Sequence, residues 1–83
     1  MYLEILTPGQ KVFEGDIKLI RVPGSGGSFE VMNRHAPVIS TLDDGPIKII
    51  SNTDEVQHFD AKGGVIQVMD NKVIVLVESL TSK

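Results

Sequence analysis

One histidine lies close in sequence to serines and aspartates that could complete a nucleophile, base and orienting group for hydrolysis. His35 could act as the base, Ser28 or Ser40 as the nucleophile, and Asp43 or Asp44 as the orienting carboxylate. No nucleophile-elbow spacing surrounds either serine, and serine and aspartate are common in turns. A histidine before Ala-Pro is typical of a loop in which side chains bond to backbone groups. The pattern favours loop roles over catalysis.

A metal site would have to use His35 and His58, because the chain contains no cysteine. The two histidines lie on different segments and lack the short spacing of most zinc-binding pairs. We therefore expect solvated or partly buried histidines. Neither a metal ion nor a cofactor is predicted.

The segment 23–28 contains three glycines and one proline, a composition that could cradle a phosphate. Such a cradle needs a Lys-Ser or Lys-Thr pair after its last glycine, followed by a helix whose N-terminus meets the anion. Here Phe29 and an extended segment follow. The sequence predicts a flexible surface loop instead.

Lys62 precedes Gly63-Gly64 between two predicted strands. Carrier domains of this size, which hold a lipoyl or biotinyl group, present a modifiable lysine on such a hairpin tip. They consist of two similar halves with the lysine near the middle, whereas Lys62 lies about three-quarters of the way along the chain. A carrier domain modified at Lys62 stays open as an alternative.

Length and charge restrict the other possibilities. The chain has 83 residues, enough for one domain over residues 1–83, and a formal net charge of −3 with scattered basic residues. Nucleic acid is therefore not an expected partner. Glu4 and Pro8 interrupt the start where a signal peptide needs basic and then apolar residues. The longest apolar run, Val73–Val77, is far shorter than a membrane-spanning helix, so direct membrane insertion is not expected.

The elements that must position these residues are short β-strands, because apolar residues occur in brief β-branched bursts separated by Gly, Pro, Asn or Asp. Turn residues predict hairpins around 51–55 and 70–72. Val73–Val77 is apolar at every position, which predicts a central strand buried on both faces. The pattern indicates an all-β sandwich or barrel of eight or nine strands. The predicted strands are Leu3–Leu6, Lys11–Glu14, Ile17–Val22, Phe29–Val31, Val38–Leu42, Ile47–Ile50, Val56–Phe59, Val65–Met69 and Val73–Val77.

Several segments, in a shared order and spacing, resemble the epsilon subunits of rotary proton-translocating ATP synthases. These segments are Leu3–Pro8, Val12–Gly15, Val22–Phe29, His35–Pro37, Asp44–Ile47, Lys62–Val68 and Asn71–Leu76. Each segment alone is a weak signal, and together they cover nearly the whole chain. The resemblance implies a sandwich of about ten strands in two sheets. Together with the eight or nine strands that the pattern indicates, the expected number of strands is about eight to ten.

The same resemblance implies a noncatalytic subunit of the central rotor stalk that links the gamma subunit to the c ring. Such a subunit helps couple proton flow to ATP synthesis. It belongs to a peripheral membrane complex on the cytoplasmic face of a bacterial inner membrane, or on the equivalent side of an energy-converting organelle.

Two sets of contact residues follow from the resemblance. The implied c-ring-facing residues are Gly24, Ser25, Gly26, Gly27, Ser28, Phe29 and Glu30. The implied gamma-facing residues are Thr7, Pro8, His35 and Ser40. The chain departs from the family pattern at Glu30, where glycine is common, and at Asn33-Arg34, where Pro-Asn or Pro-Gly is usual.

Longer family members continue into two C-terminal helices that can inhibit ATP hydrolysis. Only Glu78–Lys83 follow the last predicted strand here, too few residues for such helices. We expect no C-terminal helical hairpin and no inhibition by helix extension. Strong inhibition of ATP hydrolysis by this chain, measured with the assembled catalytic complex, would contradict that expectation.

Overall fold

A computed structural model describes residues 1–82, which form seven β-strands and no helix. Lys83, the last residue of the predicted domain, lies outside the described residues. The strands are β1 Tyr2–Thr7, β2 Gln10–Val22, β3 Phe29–Met32, β4 Val38–Leu42, β5 Gly45–Ser51, β6 Val56–Met69 and β7 Lys72–Ser82.

The strands form one sheet that closes on itself. β1 pairs in parallel with β7, and antiparallel pairs then connect β7, β6, β5, β2 and again β1. The long strands change partners along their length. Residues 10–16 of β2 pair with β1, and residues 17–22 pair with β5 and β3. Residues 56–61 of β6 pair with β5, and residues 64–68 pair with β4. The sheet thereby folds into two layers, and the predicted all-β sandwich is confirmed.

The predicted strand number was too high, because two pairs of predicted strands are each continuous. Lys11–Glu14 and Ile17–Val22 both belong to β2, and Val56–Phe59 and Val65–Met69 both belong to β6. The intervening glycines do not end these strands. Pairing of β6 with β7 extends in one register from residue 59 to residue 69.

The core is built by alternation along the strands, since successive side chains point to opposite faces. One cluster of buried apolar side chains contains residues from all seven strands. The prediction for Val73–Val77 is only half right. This part of β7 is central, between β1 and β6, and Val73, Val75 and Val77 are buried, but Ile74 is half-buried and Leu76 is exposed.

Both predicted hairpins are confirmed. Asp70 and Asn71 connect β6 to β7 with φ angles of 51° and 60°, the left-handed conformation that a two-residue type I′ turn requires. Between β5 and β6, the Ser51 hydroxyl accepts hydrogen bonds from the Thr53 and Glu55 amides at 3.3 and 3.1 Å. Local turn chemistry thus sets the register of both hairpins.

Candidate protein-binding surfaces

The Gly-rich loop, residues 23–28, is anchored to β4 rather than free. Gly24 forms a β-bridge with Leu42, and the Ser25 amide donates a hydrogen bond to the Thr41 carbonyl at 2.9 Å. The Asp43 amide donates to the Pro23 carbonyl at 2.8 Å. The prediction of a flexible loop was therefore wrong for its first half, because contacts with a strand distant in sequence hold it.

Packing at Gly24 further restricts the loop. A Cβ at this position would lie 2.7 Å from both the Gly27 carbonyl oxygen and the Phe29 ring, so only glycine fits without a shift. Gly24 is buried, and Phe29 packs against the core cluster. Of the implied c-ring-facing set, residues 25–28 and Glu30 are exposed. These are the residues available to a partner at this end of the molecule.

Beside this loop, the side of the sheet that points away from the core exposes an apolar surface. We define the outer face as Leu6, Ile39, Val65, Met69, Ile74 and Leu76. Leu6, Leu76 and Val65 form one cross-strand row in the pairing register. Ile39 is 71% exposed and Leu76 is 45% exposed. Such a grouping of exposed apolar side chains on a small chain marks a surface for a protein partner.

A charged cluster borders the outer face on β1, β2 and β7. The Lys11 ammonium lies 3.2 Å from the Glu14 carboxylate and 3.9 Å from Glu4, and the Lys72 ammonium is 3.9 Å from Glu4. The Tyr2 hydroxyl donates a hydrogen bond to Glu14 at 2.5 Å. Exposed ion pairs contribute little stability individually. The cluster instead gives the outer face a polar rim.

The hydrogen bond to Glu14, together with partial burial and the nearby carboxylates, raises the pKa of Tyr2 to about 12. We expect the near-ultraviolet tyrosinate band to appear with a midpoint near this value, and Glu14→Gln to move the midpoint back toward 10.0. The band reports on Tyr2 alone, because the chain has one tyrosine and no tryptophan. Since the folded-state pKa is raised, any stability linked to this phenol is present below pH 10 and is lost as the pH rises toward 12.

Glu55→Gln, a glutamate in the turn between β5 and β6, is the matched control and should leave the midpoint unchanged. Circular dichroism at each pH confirms that the fold persists during the titration. An unaltered chain that titrates near the ordinary tyrosine value would contradict the Tyr2–Glu14 contact.

The structure does not bring together His35 and Asp43, two of the residues that were considered for hydrolysis. His35 lies before β4 and Asp43 after it, and at about 3.3 Å per strand residue the strand separates them by at least ~13 Å. His35 Nδ1 is 2.7 Å from the Ala36 carbonyl oxygen, and the Ser40 hydroxyl donates to the Thr41 carbonyl. His58 lies in β6 opposite Lys48. Among residues 1–82, no group of three or more potential ligands could hold a metal ion.

A family model described as the β-sandwich domain of the ATP synthase delta/epsilon chain matches residues 1–83. The chain belongs to the ATP synthase delta/epsilon family. Its predicted resemblance is thereby confirmed.

Curated relatives in this family carry the name ATP synthase epsilon chain. One from Campylobacter hominis is 38% identical over 78 residues, and one from Chlorobium limicola is 32% identical over 79 residues. The alignments cover 92% and 95% of this chain, and 59% and 90% of the relatives. The chain therefore spans little more than half of the first relative and most of the second.

Solved structures of ATP synthases contain a similar fold. A chain of the Euglena gracilis mitochondrial ATP synthase, solved with its F1 part and c-ring, matches with a TM-score of 0.92 at 15% identity, over 96% of this chain and 51% of that one. A chain of the Tetrahymena thermophila mitochondrial ATP synthase central stalk and c-ring matches with a TM-score of 0.80 at 27% identity. This match covers 96% of the present chain and 64% of the Tetrahymena chain. In the present chain, residues 1–82 contain no helix that is long and apolar enough to cross a membrane.

The four residues implied to face gamma in this family do not form one patch. Thr7 and Pro8 line a shallow depression with Leu76 at the end of the outer face nearest the Gly-rich loop. His35 precedes the other end of β4. Ser40 pairs with the buried Ile66, so its side chain points toward the core side rather than outward.

Sequence reasoning missed the apolar residues of the outer face. Ile39, next to Ser40, is the outward-pointing residue at this part of β4. The sequence did contain a signal for them in the unbroken apolar run Val73–Val77. In an extended strand, alternate residues of such a run point toward the core and away from it. Exposed apolar residues at the outward positions of a strand are typical of a surface that binds another protein.

The carrier alternative is not supported. Lys62 lies within β6 and pairs with Ser79 of β7, so it is not at the tip of a hairpin. The turns at the two ends of β6 are residues 52–55 and Asp70-Asn71 instead. The family match over the whole chain gives no support to a carrier domain.

Proposed function

We propose that this chain is a noncatalytic subunit of the central rotor stalk of a proton-transporting ATP synthase, where it links the gamma subunit to the c ring. Its contribution is mechanical: it helps transmit the rotation of the ring to gamma, so that proton flow is coupled to ATP synthesis. Family membership and the likeness to the Tetrahymena central stalk support the proposal. The complex would lie on the cytoplasmic face of a bacterial inner membrane, or on the equivalent side of an organelle.

The observation that carries the proposal is the position of two different surfaces on one closed sheet. The anchored loop presents exposed polar residues at one end, and the outer face presents apolar side chains beside it. β4 connects the two surfaces, because Leu42 bridges to Gly24 of the loop and the adjacent Thr41 pairs with Val65 of the outer face. A coupling element needs such a rigid body with two adhesive surfaces.

We assign the exposed loop residues 25–28 and Glu30 to the c ring, and the outer face with Thr7 and Pro8 to gamma. Glu30 is 4.0 Å from Arg21, an exposed pair that leaves its carboxylate accessible. His35 and Ser40 stay gamma contacts that only the family resemblance implies, and they are not part of the outer face. The direct test is co-purification of the chain with its own gamma subunit and c ring. Failure to associate with either would contradict the proposal.

Replacing Gly26 with tryptophan should weaken binding to the c ring by about tenfold, because a bulky side chain at the exposed loop tip would keep the two surfaces apart. A Cβ at Gly26 meets no atom within 4 Å, so the fold should be unaffected. Gly27 is less suitable, since its φ of 128° would strain any other residue.

The matched control is Asn52→Trp, which places the same side chain on the exposed turn between β5 and β6. Binding is measured with purified, detergent-solubilised c ring, and thermal melting monitors the fold. Undiminished binding by a folded Gly26→Trp chain would remove the loop from the c-ring contact.

A further inference from the structure

We propose that Thr41 is a positioning residue for the Gly-rich loop, which it holds in one conformation before the c ring binds. The proposal rests on the proposed function above, in which the exposed part of this loop contacts the ring. Thr41 lies on β4, outside the loop and opposite Val65 of the outer face, and would act on ring binding through the loop.

Thr41 holds Ser25 at two points. Its carbonyl accepts the Ser25 amide hydrogen bond at 2.9 Å, and its hydroxyl donates to the Ser25 hydroxyl at 2.8 Å. The two residues are 16 positions apart, so this is a tertiary contact and not a property of the loop itself. Because only the hydroxyl contact depends on side chains, substitution can remove it while the strand pairing is kept.

The loop is built so that this contact controls its exposed tip. Upstream of Ser25, Gly24 is buried beneath the Phe29 ring and bridged to Leu42. Downstream, the Gly27 amide bonds back to the Gly24 carbonyl at 2.9 Å, which closes a tight turn. Ser25 is therefore the last residue bonded to β4 before Gly26 and Gly27, and glycine backbones have the widest conformational freedom.

Order in the free loop matters for affinity. A loop that becomes ordered only on binding loses conformational entropy at that moment, and the loss reduces the affinity. A polar loop without large anchoring side chains has little burial energy to offset this loss. Holding Ser25 in the free protein removes part of the cost, so Thr41 should affect ring binding without touching the ring.

The test replaces the hydroxyl with a methyl group of similar size. Thr41→Val should weaken c-ring binding by about three- to tenfold, the range expected for one hydrogen bond, while Thr41→Ser should bind normally. Ser25→Ala should have a similar effect, and the Thr41→Val/Ser25→Ala double variant should be no weaker than either single variant. Thr81→Val, an exposed threonine of β7, is the matched control.

Amide hydrogen exchange in the free chain supplies a readout independent of the ring. The Ser25 and Gly27 amides should exchange about fivefold faster in Thr41→Val, with core amides unchanged. Equal ring binding by Thr41→Val and the unaltered chain, with or without faster exchange, would overturn the positioning role alone. If the unaltered chain fails to bind the ring, the proposed function is contradicted, and the positioning role of Thr41 is contradicted with it. Faster exchange, weaker binding and rescue by serine would together establish the role.

Discussion

Replacing Gly64 with valine should lower the melting temperature of the protein by about 10 °C or more. A Cβ at this position would lie 1.9 Å from the Leu76 carbonyl oxygen and 2.9 Å from the Val77 Cα, so the backbone of β7 would have to move. The φ of Gly64 is 142°, which L-amino acids rarely adopt. Backbone strain of about 2–3 kcal/mol, at ~4–8 °C per kcal/mol for a domain of this size, gives the expected shift.

Gly26→Val is the control, because a side chain at Gly26 meets no neighbouring atom and its backbone needs no positive φ. Both variants add the same side chain to an exposed glycine, and only one places it against another strand. Thermal melting by circular dichroism compares them. Equal melting temperatures would contradict the close approach of β6 and β7 at Gly64.

The sequence was informative where structure depends on neighbours along the chain. Both hairpins were predicted because turn residues such as Asp70 and Asn71 adopt the required backbone conformation locally. The strand at Val38–Leu42 was predicted with its observed bounds, since β-branched residues lie between turn signals on either side. The resemblance to a family then favoured a sandwich over a barrel, which short-range patterns do not distinguish, but the order and pairing of the strands were not predicted.

Features that depend on distant contacts could not be predicted in this way. Gly63-Gly64 has the composition of a turn, and only pairing with β7 on both sides makes it part of one strand. The Gly-rich loop has the composition of a flexible segment, and only its contacts with Thr41 and Leu42 anchor it. Leu76 was assigned to the interior because composition does not reveal which surface a partner would cover.

Leu76→Glu should weaken binding of the chain to gamma by about thirtyfold or more. Leu76 lies at the centre of the cross-strand row of the outer face, between Leu6 and Val65, and is 45% exposed. A partner that covers this row would have to bury the new carboxylate without a compensating group, which is costly. Central apolar positions of an interface commonly account for effects of this size. Because Leu76 is already solvent-accessible, the free chain should still fold.

Val56→Glu is the matched control, because Val56 is a strand residue with 49% exposure that lies outside the outer face. Affinity for isolated gamma and for the c ring should be measured separately. A selective loss of gamma binding by Leu76→Glu, with ring binding retained, would assign the two partners to the two surfaces. Equal effects of the two substitutions on gamma would show instead that added negative charge, and not the apolar row, determines the affinity. If Leu76→Glu impaired ring binding alone, the assignment of the two surfaces to gamma and to the c ring would have to be exchanged.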